Sequence, residues 1–463
     1  MTRTSQFLVM ITILSASITT QAHAQQDPII QDVIQKLRTE IETNGSAYAD
    51  LTELTSHIGS RISGSPQAAL AVEWATEKMR SYGFDHVTQQ AVTVPHWVRG
   101  SHEQATITTS STPIDLKVSA LGMSAGTSGV EAEVIEVHSL EEVRALGAAV
   151  RGKIVFFNRP MDPTLTDTFE AYGGAVDQRS SGPSTASSLG AVATLVRSMT
   201  TMIDDDHPHT GITRFRGGVT PIPAAALSTR AADTLSRQLR QNSHTKVKLE
   251  LSAQHLPDVT SYNVIGEIVG REIPNEIVLV GGHLDSWDLA QGAQDDGAGV
   301  VQSLEVCRAI RRLGRIPKRT VRCVLFMAEE FGGIGAGQYA AQAQSSGEKH
   351  IAAVESDRGG FAPDRVDVAG SDAQVQALQQ WLPYLQFSGL TRFAVGGAGT
   401  DVAPLAGQGA LTMDFVPVST HYFDIHHSAL DRIEAVNPDE LKNGASALAG
   451  LIYLLAENSA IGL

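Results

Sequence analysis

The chain has 463 residues, of which 42% are hydrophobic and 18% charged, with 42 glycines and two cysteines. That balance fits one large globular domain or two to three ordinary ones, and it excludes a disordered chain, a collagen-like repeat and a disulfide scaffold. Lys and Arg number 35 against 50 Asp and Glu, a formal charge of −15 with no basic cluster, which argues against nucleic-acid and anionic-membrane partners because binding phosphates needs basic patches.

Residues 1–24 carry Arg3, an apolar run from Phe7 to about Ile18, and a polar stretch ending Ala22-His23-Ala24. The run is too short to span a bilayer as a helix, and Ala22 and Ala24 give the small-x-small form just before Gln25, so the segment is read as a secretory signal peptide and the product as soluble and exported, periplasmic or extracellular. Apolar residues at helical spacing then recur in Ile30-Val33-Ile34-Leu37 and Ala69-Val72-Ala75-Met79. Short strands with alternating pattern follow at Phe84 to Val94 and Thr106 to Thr109. From about Leu116 to Gln254, compact apolar runs such as Lys153 to Phe157 and Ala191 to Val196 stand between loops rich in Pro, Gly and Ser, as in a small mixed α/β domain. From Tyr262 the order becomes strand, glycine turn, long helix, strand (Glu276 to Gly281, Gly297 to Leu313, Thr320 to Ala328). Such alternation predicts an α/β fold with a mainly parallel central sheet flanked by helices. Cys307 falls in the helix and Cys323 in the next strand, and they are read as two buried thiols rather than a disulfide.

In open α/β sheets ligands bind beyond the carboxyl ends of the strands, and the residues there are unusually polar. Ile277 to Val280 is followed by Gly281-Gly282-His283-Leu284-Asp285 and then by Gly292-Ala293-Gln294-Asp295-Asp296-Gly297-Ala298-Gly299. Val324 to Ala328 is followed by Glu329-Glu330, Ile351 to Val354 by Glu355-Ser356-Asp357, and His426-His427 precede Ser428 and Asp431. So many acids repel one another unless cations neutralise them, and histidine mixed with carboxylate is a ligand set for zinc. Three carboxylates and a hydroxide carry four negative charges, which two divalent cations cancel. Two metals about 3.5–4 Å apart form a hydrolytic device that activates a shared water and polarises the substrate oxygen.

These motifs, together with Ser56-His57-Ile58-Gly59-Ser60-Arg61, Gly64-Ser65-Pro66, Arg151-Gly152-Lys153-Ile154-Val155 and Pro208-His209-Thr210-Gly211, cover nearly the whole mature chain. The sequence resembles the plasma glutamate carboxypeptidase family of co-catalytic di-zinc peptidases. The resemblance implies a peptidase domain formed by residues 25–115 and 255–463, interrupted by a protease-associated domain over 116–254. It also implies two zinc ions, short peptides and especially dipeptides as substrates, and a homodimer.

Carried over residue by residue, the family pattern makes His283 and Asp357 terminal ligands of one zinc, Glu330 and His427 terminal ligands of the other, and Asp295 the bridge. Asp295 is preferred over Asp296 because the family's bridging Asp lies four residues before a helix-opening glycine, here Gly299. His427 is preferred over His426 by the acidic residue four positions on, Asp431. Asp285, two residues from His283, shares its strand face, so its carboxylate is expected to hold the second imidazole nitrogen. Glu329 is expected to be the general base, taking a proton from the water and passing it to the leaving amine. His426 is expected either to polarise the scissile carbonyl or to pack beside the ligand, and Trp287 and Asp288 either to shape the pocket wall or, for the Trp, to sit in the core.

Asp204-Asp205-Asp206-His207-Pro208-His209 also resembles a metal cluster but reads as a solvated loop, and Gly396-Gly397-Ala398-Gly399 as a loop near the substrate rather than a nucleotide site. Neither a GxSxG elbow nor an HExxH helix is present. Aminopeptidase specificity and a catalytically silent peptide-binding protein remain as alternatives. An aminopeptidase needs an acidic group for the free amine, and a carboxypeptidase needs donors for the terminal carboxylate, for which Arg358 and Arg392 are candidates.

Overall fold

A computed structural model describes residues 27–458; the expected signal peptide lies outside them. Among the described residues no helix is long and apolar enough to cross a membrane. Three helices begin in the same way, Pro28–Asn44, Pro66–Ser81 and Pro438–Glu457. Each is preceded by a residue (Asp27, Ser65 or Asn437) whose side chain accepts a backbone N–H of the first turn. Proline at the first position gives up an N–H that has no helical partner anyway.

The central sheet has eight strands, in the order His86–Val98, Gln254–Ile268, Arg319–Phe326, Ile273–His283, Lys349–Glu355, Leu411–Pro417, Pro363–Ala369, Arg392–Val395. Its middle is parallel, from Arg319–Phe326 through Leu411–Pro417, and the strands on either side of that block join antiparallel. The sheet is therefore mixed, with the expected parallel arrangement at its centre. Alternation divides the strand Ile273–His283 between two cores. Val278 and Val280 face a cluster shared with the helices Ala298–Leu313, Pro438–Glu457 and Pro28–Asn44, and Leu279 faces Ala336, Tyr339 and Ala340 of the helix Ile334–Ser346. Cys307 and Cys323 are buried, free thiols.

The chain leaves this sheet along His86–Val98 and re-enters it along the antiparallel partner Gln254–Ile268. Between them lies a second eight-stranded sheet whose inner strands Thr127–Val137, Ile154–Phe157, Ala193–Arg197 and Ala224–Leu227 are parallel. This sheet includes Glu103–Ile107, paired with Lys246–Leu251, so it opens ahead of the Leu116 boundary read from composition. The shift has a simple cause: Glu103–Ile107 shows the same alternation as a strand of the first sheet, and only the pairing partner tells them apart.

Candidate metal centre

The parallel strands deliver their polar ends to one rim. His283 is the last residue of Ile273–His283, Asp357 lies two beyond Lys349–Glu355, and Glu329 and Glu330 lie just beyond Arg319–Phe326. Asp295 sits in the irregular turn before the helix Ala298–Leu313, joined to Asp296 by a cis peptide bond, and His427 follows the short helix Tyr422–Ile425. Ala328 and His427 both have left-handed backbone, with φ of 65° and 59°, a conformation that costs energy in non-glycine residues and is concentrated at functional sites.

All five expected ligands converge. Asp295 Oδ1 lies 3.1 Å from His283 Nε2, which is 3.3 Å from Asp357 Oδ1. Asp295 Oδ2 lies 3.2 Å from His427 Nε2, which is 3.2 Å from Glu330 Oε2. Ligands about 2.0–2.1 Å from a tetrahedral zinc stand about 3.3 Å apart, so each half of the cluster has the spacing of a tetrahedral edge and Asp295 is shared between them. Asp295 Oδ2, Glu330 Oε1 and Asp357 Oδ1 are buried without a hydrogen-bond donor among the described residues. Burial alone would push both imidazoles down. Asp357, Asp285 and Asp295 instead hold His283 well above its ordinary value, and Glu330 and Asp295 do the same for His427. The carboxylate field thus demands positive charge at the two points where a cation would sit.

Asp296 comes near His283 and Asp357, but its two oxygens already accept the backbone N–H groups of His283 at 2.9 Å and Gly299 at 2.9 Å. It closes the turn and starts the helix, which leaves Asp295 as the free carboxylate. Gly299 permits this, because a Cβ there would overlap the Ser356 carbonyl and the Asp296 carboxylate. Both histidines also have their second nitrogen engaged by main chain: His283 Nδ1 faces the Asp285 carbonyl at 2.9 Å and His427 Nδ1 the Thr210 carbonyl at 3.2 Å. A carbonyl accepts from Nδ1–H, so each Nε2 lone pair points into the cluster.

Asp285 therefore departs from expectation. Its carboxylate lies 3.7 Å from His283 Nδ1 and is occupied elsewhere, accepting the Glu329 N–H at 3.1 Å and the Ser63 hydroxyl at 3.0 Å. The strand ends at His283 and the chain bends at Leu284, which breaks the i, i+2 alternation and turns the carbonyl, not the side chain, toward the ring. The Asp285 carboxylate is accordingly placed to hold the main chain at Glu329. Replacing it with alanine strands a buried N–H, and kcat should fall about 10- to 100-fold with metal content retained, measured on the same preparations.

Glu329 lines a cavity of about 340 Å³ together with Asp295, Glu330, Asp357 and His427. Burial raises its carboxyl well above the usual range, and Asp357, Asp401 and Glu330 add to the rise against His283. His426 stacks on His427, ring centroids 3.6 Å apart, amid Tyr172, Tyr422 and Phe423. Its Nε2 is 3.6 Å from Asp295 Oδ2, it has no counterpart to the Glu330 contact of His427, and burial followed by the charge of His427 pushes it well below its ordinary value. The packing alternative describes most of its surroundings, although it also lines the cavity. Trp287 packs against Trp97, Phe331 and the His427 ring and borders a small recess shared with Asp295, Glu330 and His427, so it is both a core residue and part of the wall beside the centre, whereas Asp288 binds Arg99 at 2.7 Å; neither lines the larger cavity.

Several contributors were given no structural role by the sequence, Arg61 and Asp431 among those it named. Arg61 is fully buried and donates to the carbonyls of Gly59, Leu284, Gln291 and Gly292. Burial lowers it to about 10, so it keeps its charge at neutral pH beside Asp431 and Asp285. Asp431 accepts from Ala293, Gln294 and Asp295 N–H groups at 3.1, 2.7 and 3.2 Å, which fixes the turn carrying the bridge. The second sheet's side of the molecule supplies Tyr172, Arg179 and Arg214 to the cavity wall. The acidic decoy is also more ordered than a solvated loop: Asp205 is buried and accepts from His207 at 2.7 Å and His209 at 3.2 Å, apart from the metal cluster. Ala398 and Gly399 of the glycine-rich loop border the cavity.

Residues 263–452 match the model of peptidase family M28. Carboxypeptidase Q of Bos taurus is 34% identical over 413 residues, which cover 89% of this chain and 85% of that protein. The crystal structure of a peptidase M28 precursor from Shewanella amazonensis superposes with a TM-score of 0.89 at 34% identity, covering 94% of this chain and 98% of the other. A zinc aminopeptidase from Bacillus subtilis shares the fold at 20% identity, with a TM-score of 0.65 over 89% and 95% of the two chains. With the relatives matched over most of their length, the chain belongs to peptidase family M28.

Proposed function

We propose that this metallopeptidase is an exported di-zinc enzyme that hydrolyses short peptides, dipeptides foremost, as a carboxypeptidase or dipeptidase. The observation that carries the reading is the Asp295 carboxylate, each oxygen of which stands 3.1 or 3.2 Å from a different histidine. His283 and Asp357 would hold one zinc, Glu330 and His427 the other, with Asp295 between them. The inserted unit built on the second sheet corresponds, on this reading, to a protease-associated domain that closes the cavity over the metal centre.

When bound, the two zinc ions supply a Lewis-acidic pair that polarises the scissile carbonyl and acidifies a water. The chain's own residues do the rest. Asp431 and Arg61 lock the turn that carries Asp295, and the carbonyls of Asp285 and Thr210 set the ring orientations. Glu329 is the general base. Its carboxylate, lining the cavity beside the expected ligands, is placed to take a proton from the attacking water and return it to the leaving amine, a step to which a poised base contributes about 10²–10⁴-fold. The cavity of about 340 Å³ is at the small end of the roughly 300–1,000 Å³ found for small-molecule pockets, consistent with a substrate of very few residues.

The test is product analysis on a dipeptide, an N-blocked tripeptide and a C-amidated tripeptide. Cleavage of the dipeptide and the N-blocked substrate but not the amide is expected; release of N-terminal residues from the amide would make the enzyme an aminopeptidase. Chelation should abolish turnover, and added zinc should restore it.

A further inference from the structure

Three guanidinium groups line the cavity, and they differ in how their charge is met. Arg358 is already neutralised: it binds Asp414 at 2.6 and 2.7 Å and lies 4.0 Å above the Phe169 ring. Arg392, the other sequence candidate, is outside the cavity, exposed and paired with Asp364 at 3.3 Å. Neither is free to hold a substrate.

Arg179 and Arg214 are placed otherwise. Arg179 is 4% exposed, yet its donors meet only neutral acceptors, the Thr210 carbonyl at 3.0 Å and the Tyr172 hydroxyl at 2.6 Å, and its Nε has no partner at all among the described residues. It also comes within 3.4 Å of His427 Nδ1, which must keep its proton for Thr210 if Nε2 is to face the metal cluster, so that approach adds no acceptor. Gly211 makes the placement possible, because a Cβ there would overlap the guanidinium. A buried cation without a counter-charge is costly, and Arg179 lines the cavity, from which an anion can reach it. Arg214 is exposed at the same cavity, donates through its main chain to the Ser180 carbonyl, and its side chain has no acceptor among the described residues. Its Nη2 would lie 3.1 Å from a Cβ on Gly332, two residues beyond Glu330, so it reaches toward the loop that carries the base.

We infer that Arg214, with the uncompensated charge of Arg179 behind it, forms the subsite that takes the C-terminal carboxylate of the peptide, an inference that rests on the peptidase reading above. The planar fork of arginine matches a carboxylate with two parallel hydrogen bonds. An acidic side chain of the substrate has the same chemistry, so the two sources must be separated by experiment.

The test is calorimetric binding to the zinc-loaded, full-length Glu329→Gln protein, with and without Arg214→Gln. The probes are Ala-Ala, Ala-Ala amide and Ala-Glu amide. Ala-Ala should bind at least about tenfold more tightly than either amide, the scale of one charge-assisted contact, and Arg214→Gln should erase that preference. Arg214→Lys should retain part of it and Arg392→Gln all of it. Equal binding of Ala-Ala and its amide, an equal weakening of both by Arg214→Gln, or an Arg214-dependent preference for Ala-Glu amide alone would overturn the assignment. Wild-type turnover of Ala-Ala is measured separately, so absence of hydrolysis would count against the peptidase reading while the binding comparison still decides the subsite.

Discussion

Glu329→Gln should lower kcat by about 10²–10⁴-fold, the range a positioned general base supplies, while leaving metal content and KM for a dipeptide nearly unchanged. The glutamine keeps the shape of the side chain and its main-chain N–H, which Asp285 Oδ1 holds at 3.1 Å. It removes only the ability to accept a proton. None of the expected ligand contacts involves the Glu329 carboxylate, so metal analysis of the purified variant should match the wild type. A variant with full activity would remove Glu329 from its role, and a variant that loses metal would make it a ligand.

Asp295→Ala should weaken metal binding at both halves of the centre by more than about 100-fold, the upper end of what loss of a supporting hydrogen-bond partner costs, because this one side chain faces both histidines. The thermal signature is equally specific. Cations that bind only the folded protein raise Tm by mass action, so zinc should stabilise the wild type and leave the alanine variant almost unmoved. In chelator the order should narrow or invert, since the variant no longer buries that carboxylate beside Glu330 and Asp357. Scanning calorimetry with and without zinc measures all four states. If the variant still gains the full zinc-dependent rise in Tm, the bridging role fails.

Much of this centre was legible because each half of the problem had a local signal. His283, Asp295, Glu329, Glu330 and Asp357 all follow apolar strands or a glycine-rich turn, and topology alone sends such positions to one rim. The choice of Asp295 over its neighbour rests on a register argument, and both oxygens of that neighbour, Asp296, accept backbone N–H groups. Asp285 was misjudged because alternation presumes that the strand continues, whereas the chain bends immediately after His283. Arg179, Arg214 and Thr210 could not be found in this way. They lie in loops and a short helix of the second sheet's unit, and they acquire meaning only through docking against residues far along the chain, as when Thr210 meets His427 across 217 residues. The sheet to which Glu103–Ile107 belongs was hidden for a related reason: strand pattern reveals a strand, not the sheet it joins.

The Thr210 carbonyl and the Arg179 guanidinium come to the candidate centre from the stretch of chain that carries the second sheet. Excising the stretch between Val98 and Gln254 and resealing the antiparallel pair would leave every expected ligand in the chain, but His427 would lose the acceptor that fixes its tautomer. A chimaera that borrows this unit from a relative must therefore bring its own equivalents of Thr210, Gly211 and Arg179 in the same register. Without them the graft can fold and still leave the His427 ring misoriented.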